Sequence, residues 1–313
     1  MRKIGIESRI YSYEFNGWPA LLSNIALSRL LAKRALKNGF DSLIFHKGQA
    51  GSIGLKNVRT LCYFHQVLPD DFLGEGFTQT IYKNFLAAIE RRLAHIVCNS
   101  EYTASRVRLL YPKAAAPVSV VYPGARPAIC SEQPSSVQGQ DSCYYHSRIH
   151  PRKNQLFLLT VFEKLPYKLI ISGGTWDRRF RSYQLNLIRK ISDTPNVRIA
   201  TNISEKKYHQ FLFESLLFCF PALNEPFGIT LLEAMAHGKP IIALESGAVP
   251  EVLGEAGILC KPFINEWRRA VSQLVSDSHL RDSLSKRSIA RAASFSWEKT
   301  AKQLIELFEN NDS

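Results

Sequence analysis

Apolar positions along the chain switch between two spacings. Short runs rich in β-branched and aromatic residues, KIGIES (3–8), FDSLIFH (40–46), VRTLCYFHQ (58–66), HIVCNS (95–100) and PVSVVYPG (117–124), predict strands. Between them, LLSNIALSRLLAKRALKNG (21–39), TIYKNFLAAIERRL (80–93) and EYTASRVRLLYP (101–112) carry apolar residues three and four apart and predict helices. Gly39 stands where the first helix should stop, and Ser100 where the third should be capped. After residue 142 the alternation restarts: strand CYYHSR, helix KNQLFLLTVFEKL, strand YKLIISGG, helix FRSYQLNLIRKI, strand NVRIATN, helix SEKKYHQFLFES, strand LLFCFP, helix GITLLEAMAHG and strand PIIAL. Strands alternating with helices, joined by short loops, predict parallel sheets with helices on both faces.

The 313 residues suffice for two domains at roughly 150 each. The stretch PGARPAICSEQPSSVQGQDS has little to bury and reads as a linker. The expected organisation is a first doubly wound α/β domain over 1–122, a linker at 123–141, and a second over 142–294, followed by a last segment at 295–313. In open parallel sheets ligands bind outside the carboxyl ends of the strands, so chemistry is sought in the loops that leave them.

At 45% hydrophobic and 21% charged, with no repeat and no low-complexity run, the composition excludes disordered and repeat architectures. Glu7 and Arg9 interrupt what would be a signal peptide, and no run is long and apolar enough to span a bilayer, so a cytoplasmic protein is expected. Six scattered cysteines, none in a Cys-x-x-Cys pair, predict buried reduced thiols and no zinc site. The net charge is +13, and residues 1–140 hold 17 of the 40 Lys+Arg but 9 of the 27 Asp+Glu. This excess favours anionic partners, either phosphate-bearing ligands or an acidic membrane surface, or is simply a basic solvated face. A basic nucleic-acid-binding module is the alternative from another class, but aromatic and basic residues are not interleaved as stacking platforms, so no nucleic-acid partner is expected.

The stretch NEPFGITLLEAMAHGKP (224–240) places Glu225 in a loop after a strand and Glu233 eight positions on, inside a helix. The amides of Phe227, Gly228, Ile229 and Thr230 would be helix-start donors at a loop mouth, with the positive end of the helix dipole behind them, and such a place suits phosphate. Gly228 either lets an anion approach those amides or permits a tight turn. Glu233 lies roughly 7.5 Å further along the axis at about 1.5 Å per residue. Carboxylates repel phosphate and accept from hydroxyls, so both glutamates match the sugars on either side of a phosphate. In HSRIHPRKNQ, Arg148 follows a strand and Lys153 stands at the expected start of the next helix. They are candidates to neutralise a diphosphate, or two of the cations common on a helix start.

The Glu225 to Glu233 pattern, AMAHGKP, the following IIALESGAVPEVL and GILCKP together resemble the family-4, group 1 glycosyltransferases, a retaining group of GT-B fold that uses nucleotide-diphospho-sugars. HSRIHPRKNQ resembles the family's diphosphate-binding segment, with Ser147 where a glycine is usual, and FSWEKTAKQLIELF (295–308) resembles its closing helix, which crosses back to the first domain. The resemblance implies two Rossmann-like domains facing each other across a cleft, the first reduced and carrying the acceptor side. It implies that Arg148 and Lys153 hold the diphosphate, Glu233 the ribose hydroxyls, and Glu225 with the amides at Phe227 to Thr230 the donor sugar and its β-phosphate. Asn202 and Ile203 would lie near the base. Gly17 and His65 are the nearest equivalents of the family's first-domain glycine loop and histidine, with His65 reaching the donor sugar. His146 and His150 read as structural.

The implied activity is sugar transfer, with mannose the first expectation, from a GDP-, UDP- or ADP-linked donor to a glycan or lipid-linked acceptor in surface polysaccharide or lipopolysaccharide synthesis. No cofactor or metal is expected: there is no Asp-x-Asp pair, and Asp70 and Asp71 read as turn residues. Docking at the inner face of a membrane is expected from the basic first domain. A GT-B epimerase or phosphorylase, or a non-catalytic nucleotide-sugar-binding protein, is the alternative. The sequence leaves the oligomeric state open.

Overall fold

The computed structural model of this chain describes residues 33–34, 37–39, 42–46, 59–65, 95–110, 112, 116–125, 142–174 and 180–309. The strand expected at 3–8, the helix expected at 80–93, most of the linker, and Gly17, Asp70 and Asp71 lie outside the described residues. The chain divides into two compact units, Met1–Gly124 with Trp297–Ser313, and Ala125–Ser296.

In the first unit four strands, β1 (Ser42–His46), β2 (Arg59–Phe64), β3 (His95–Cys98) and β4 (Val118–Val120), form a parallel sheet in the order β1-β2-β3-β4. Helix α1 (Glu101–Leu110) starts at Ser100, whose Oγ accepts from the Thr103 N–H at 2.9 Å, satisfying one of the donors a helix start leaves open. Leu61, Tyr63, Val97 and Val121 form the core with Leu304, which arrives from the far end of the chain.

The second unit holds six parallel strands: β5 (Ser142–His146), β6 (Lys168–Gly173), β7 (Val197–Thr201), β8 (Leu217–Phe220), β9 (Ile241–Leu244) and β10 (Gly257–Cys260). Their order is β10-β9-β8-β5-β6-β7. β8 and β9 are buried along their whole length, as apolar runs must be when helices cover both faces. The intervening helices are α2 (Gln155–Phe162), α3 (Arg181–Ser192), α4 (Glu205–Glu214), α5 (Ile229–Ala236), α6 (Val249–Leu253), α7 (Ile264–Ser276) and α8 (Ser278–Ala293). The last helix, α9 (Trp297–Glu309), belongs to the first unit, where Thr300 Oγ1 donates to the Tyr122 carbonyl at 2.6 Å.

The strand order positions the site. From β5 the chain builds outward through β6 and β7, then returns to lay β8 on the other side of β5. The strand order therefore reverses between β5 and β8, and in open parallel sheets ligands bind at the carboxyl ends of the strands where it does so.

Candidate functional site

The β5 loop is seated on the end of β6. The Ser147 N–H donates to the Ser172 carbonyl at 2.9 Å, and a Cβ added to Gly173 would lie 1.7 Å from the Ser147 oxygen. Only glycine permits that approach. Gln155, fully buried, donates through Nε2 to Ser147 Oγ at 2.9 Å and to the Arg148 carbonyl at 2.8 Å, while its Oε1 accepts from Tyr183 OH at 2.9 Å. Ser147 is thus a hydrogen-bond partner, and Arg148 is an exposed cation on a fixed backbone.

Contrary to the pattern, Lys153 does not start a helix; it ends a 3-10 turn, Pro151–Lys153, and α2 begins at Gln155. The reason is Asn154, whose left-handed conformation (φ 57) closes one element and opens the next. His150 Nδ1 caps the turn by accepting from the Arg152 N–H at 3.0 Å, the structural part expected of it. Asn154 Nδ2 donates to the Pro221 carbonyl at 3.1 Å, and the Leu223 N–H donates to the Arg152 carbonyl at 2.8 Å, so the β5 loop is stitched to the β8 loop. Across that seam Lys153 Nζ and Glu225 Oε2 form an ion pair, their side chains 15% and 8% exposed. Glu225 is held from behind by the loop after β9, where the Ala248 N–H donates to its carbonyl at 2.8 Å and Ser246 Oγ accepts from the Asn224 N–H at 2.9 Å.

Gly228 caps α5 with φ 93, a left-handed backbone that other residues adopt only under strain, so the tight-turn reason for this glycine is present. The helix begins at Ile229, which narrows the expected donor set. Phe227 lies before it, with its ring 5.9 Å from Phe295, and the first-turn amides are those of Ile229, Thr230 and Leu231, which have no side-chain cap. The positive end of α5 therefore opens beside the Lys153–Glu225 pair.

Glu233 is the fifth residue of α5 and is 6% exposed. Tyr208, on α4, donates its hydroxyl to Glu233 Oε2 at 2.7 Å, and its ring lies 4.3 Å from that of His146. His146 Nδ1 meets Ser172 Oγ at 2.7 Å, and burial pulls its pKa down from 6.5 to about 4. As pH falls from 6.5 toward 4 the unfolded chain takes a proton that the folded chain refuses, so stability declines through that window. Urea unfolding at pH 7 and pH 5 should show a larger loss for the wild type than for His146→Val.

Asn202 and Ile203 follow β7, two strands from β5 and so roughly 10 Å away. Asn202 is left-handed (φ 53), and its N–H donates to the Gly173 carbonyl at 3.2 Å. His65 follows β2 in the first unit, exposed, with its carbonyl accepting from Asn99 Nδ2 at 2.7 Å. Gly17 lies outside the described residues. The structure brings together Arg148, Lys153, Glu225 and the α5 start on adjoining loops of one sheet. Gln155 and Tyr208 join them without having drawn notice in the sequence: Gln155 stands two residues past Lys153, but nothing in the pattern links Tyr208 to Glu233. Among the described residues no three His, Cys, Asp or Glu gather as metal ligands, and no helix is long and apolar enough to cross a membrane.

The family model Glycosyl transferases group 1 matches residues 131–291, and the model Glycosyltransferase Family 4 matches residues 5–128. Among curated relatives, the O-antigen chain mannosyltransferase B of Escherichia coli is 26% identical over 181 residues, 54% of this chain and 46% of its own length. The serotype-specific mannosyltransferase WbdA of Escherichia coli is 26% identical over 288 residues, 82% of this chain and 34% of its own. The chain thus spans less than half the length of these relatives. Among solved structures, sucrose-phosphate synthase from Thermosynechococcus elongatus superposes with a TM-score of 0.77 at 18% identity, covering 93% of this chain and 78% of that one. Anabaena Alr3699/HepE in complex with UDP and glucose superposes with a TM-score of 0.75 at 17% identity, covering 93% and 81%. The fold is GT-B, two Rossmann-like α/β units in one chain.

Proposed function

The chain belongs to the group 1 glycosyl transferases, and from that premise we propose that it is a retaining hexosyltransferase acting on a nucleotide-diphospho-sugar without a metal. The transferred sugar is mannose and the acceptor a glycan or lipid-linked glycan in polysaccharide synthesis, a reading supported by the O-antigen mannosyltransferases among its relatives. A nucleotide-sugar donor is supported by the UDP-bound neighbour.

The observation that carries the proposal is the Lys153–Glu225 pair beside the uncapped start of α5. As the bond to the sugar breaks, negative charge develops on the β-phosphate. Arg148, Lys153 and the amides of Ile229 and Thr230 are fixed donors for that charge, and donors preorganised in this way lower a barrier without reorganising. Lys153 is shared between the phosphate and Glu225, which leaves Glu225 able to accept from sugar hydroxyls. Glu233 accepts from the ribose and Asn202 and Ile203 flank the base, while Gly17 and His65 are proposed as donor-binding residues on the family resemblance. The acceptor hydroxyl attacks from the face the leaving group departs and passes its proton to the departing β-phosphate oxygen, which retains configuration. The protein works in the cytoplasm, docked on an acidic membrane surface.

Sugar transfer from labelled GDP-mannose and UDP-hexoses, measured for Arg148→Ala and Glu225→Ala, tests the assignment. Each is expected to lose about 10²-fold or more in kcat; Arg148→Ala should keep its stability, whereas Glu225→Ala should also lose some because it leaves Lys153 without its partner. Near-normal rates in both would make the site wrong. Nucleotide release without an acceptor, or a phosphate requirement, would instead favour an epimerase or phosphorylase.

A further inference from the structure

We propose that Tyr208 is a positioning residue that aims Glu233 and so makes the site selective for the ribose of the donor nucleotide, an inference that rests on the glycosyltransferase reading above. Glu233 is buried, and a glutamate on a helix has three side-chain torsions through which it could turn away from a ligand. The Tyr208 hydroxyl, 2.7 Å from Oε2, sets the plane of the carboxylate. Hydrogen bonding to a vicinal diol is directional, so that plane decides whether the two ribose hydroxyls are met together.

The tyrosine is itself immobilised. Its ring lies 4.3 Å from His146 and 6.4 Å from Tyr144, and both of those side chains meet Ser172 Oγ, His146 Nδ1 at 2.7 Å and Tyr144 OH at 2.5 Å. His146 ends β5, Tyr144 lies at its middle and Ser172 is next to last in β6, the strands whose loops carry Arg148 and seat it. A single polar cluster therefore ties the diphosphate end of the site to the carboxylate eight residues past Glu225. A tyrosine that only filled space would need no hydroxyl there, and phenylalanine would serve.

Calorimetric titration of the full chain with UDP and GDP, and with their 2'-deoxy and 3'-deoxy forms, tests this. Loss of a ribose hydroxyl is expected to weaken wild-type binding about tenfold, as for a hydrogen bond to a charged group. Tyr208→Phe, which keeps the ring against His146, is expected to shrink that ratio to about twofold. The same change made in a Glu233→Gln chain is expected to add nothing. Tyr208→Leu, run alongside in case the phenyl variant does not fold, is expected to show the same loss of discrimination. A Tyr208→Phe chain that discriminates as the wild type does overturns the inference and leaves the proposed function standing. A wild type that binds these nucleotides without discrimination, or binds none, overturns both.

Discussion

Lys153→Ala is expected to lower kcat for sugar transfer by about 10²–10³-fold, the loss typical of removing one fixed donor from a developing anion. The same change is expected to destabilise the second unit, because Glu225 is buried and would be left without its cation. Breaking one partner of a buried pair costs about 3–5 kcal/mol. The two effects separate in a double variant. Lys153→Met with Glu225→Gln removes both charges, so most of the stability should return in a thermal melt, while activity should stay lost. Recovery of activity together with stability would mean that the pair serves folding alone. Lys153→Arg keeps the charge but exchanges a compact ammonium for a planar fork, so an intermediate rate is expected.

Gly173→Ala is the second large effect, and it acts through the backbone. A methyl group there would meet the Ser147 carbonyl oxygen at 1.7 Å and its carbon at 2.7 Å. The carbonyl cannot retreat without lifting the loop that Gln155 grips at Ser147 Oγ and the Arg148 carbonyl. A loss of about 3 kcal/mol is expected, at the upper end of overpacking costs. That corresponds to a fall of about 6–12 °C in Tm for a domain of this size. Arg148 should also leave its place, so donor affinity should fall in the chains that remain folded. Gly174→Ala is the control: its added Cβ would meet only Asn202 Oδ1 at 3.9 Å, an ordinary contact, and should be nearly neutral.

The parallel character of the second sheet was legible because strand and helix periods alternate from β5 to β10. Glu225 and Glu233 stood out by their spacing within one motif, and Arg148 and Lys153 by following a strand. Side chains that meet across long separations carried no such signal. Lys153 and Glu225 are 72 residues apart, and Tyr208 and Glu233 are 25. Those encounters depend on β8 returning to lie beside β5, and strand order is set by packing that no local period encodes. Asn154 shows the same limit at short range, since its left-handed backbone moves the helix start by two residues and turns Lys153 toward the β8 loop. Helices α7 and α8 are a different case. Trp267, Ala270, Val271 and Leu274 are buried at helical spacing, a period that was readable but lay beyond the motifs that held the chemistry.

The central claim is that the crevice between the β5 and β8 loops holds a nucleotide-diphospho-sugar. Thermal unfolding of the wild type against a panel of GDP-, UDP- and ADP-sugars tests it most directly, since a ligand at 100 times its Kd adds about 2.7 kcal/mol. One nucleotide class is expected to raise Tm in the wild type and to leave the Lys153→Met, Glu225→Gln double variant unmoved. A panel that shifts neither protein, or shifts both equally, would contradict it.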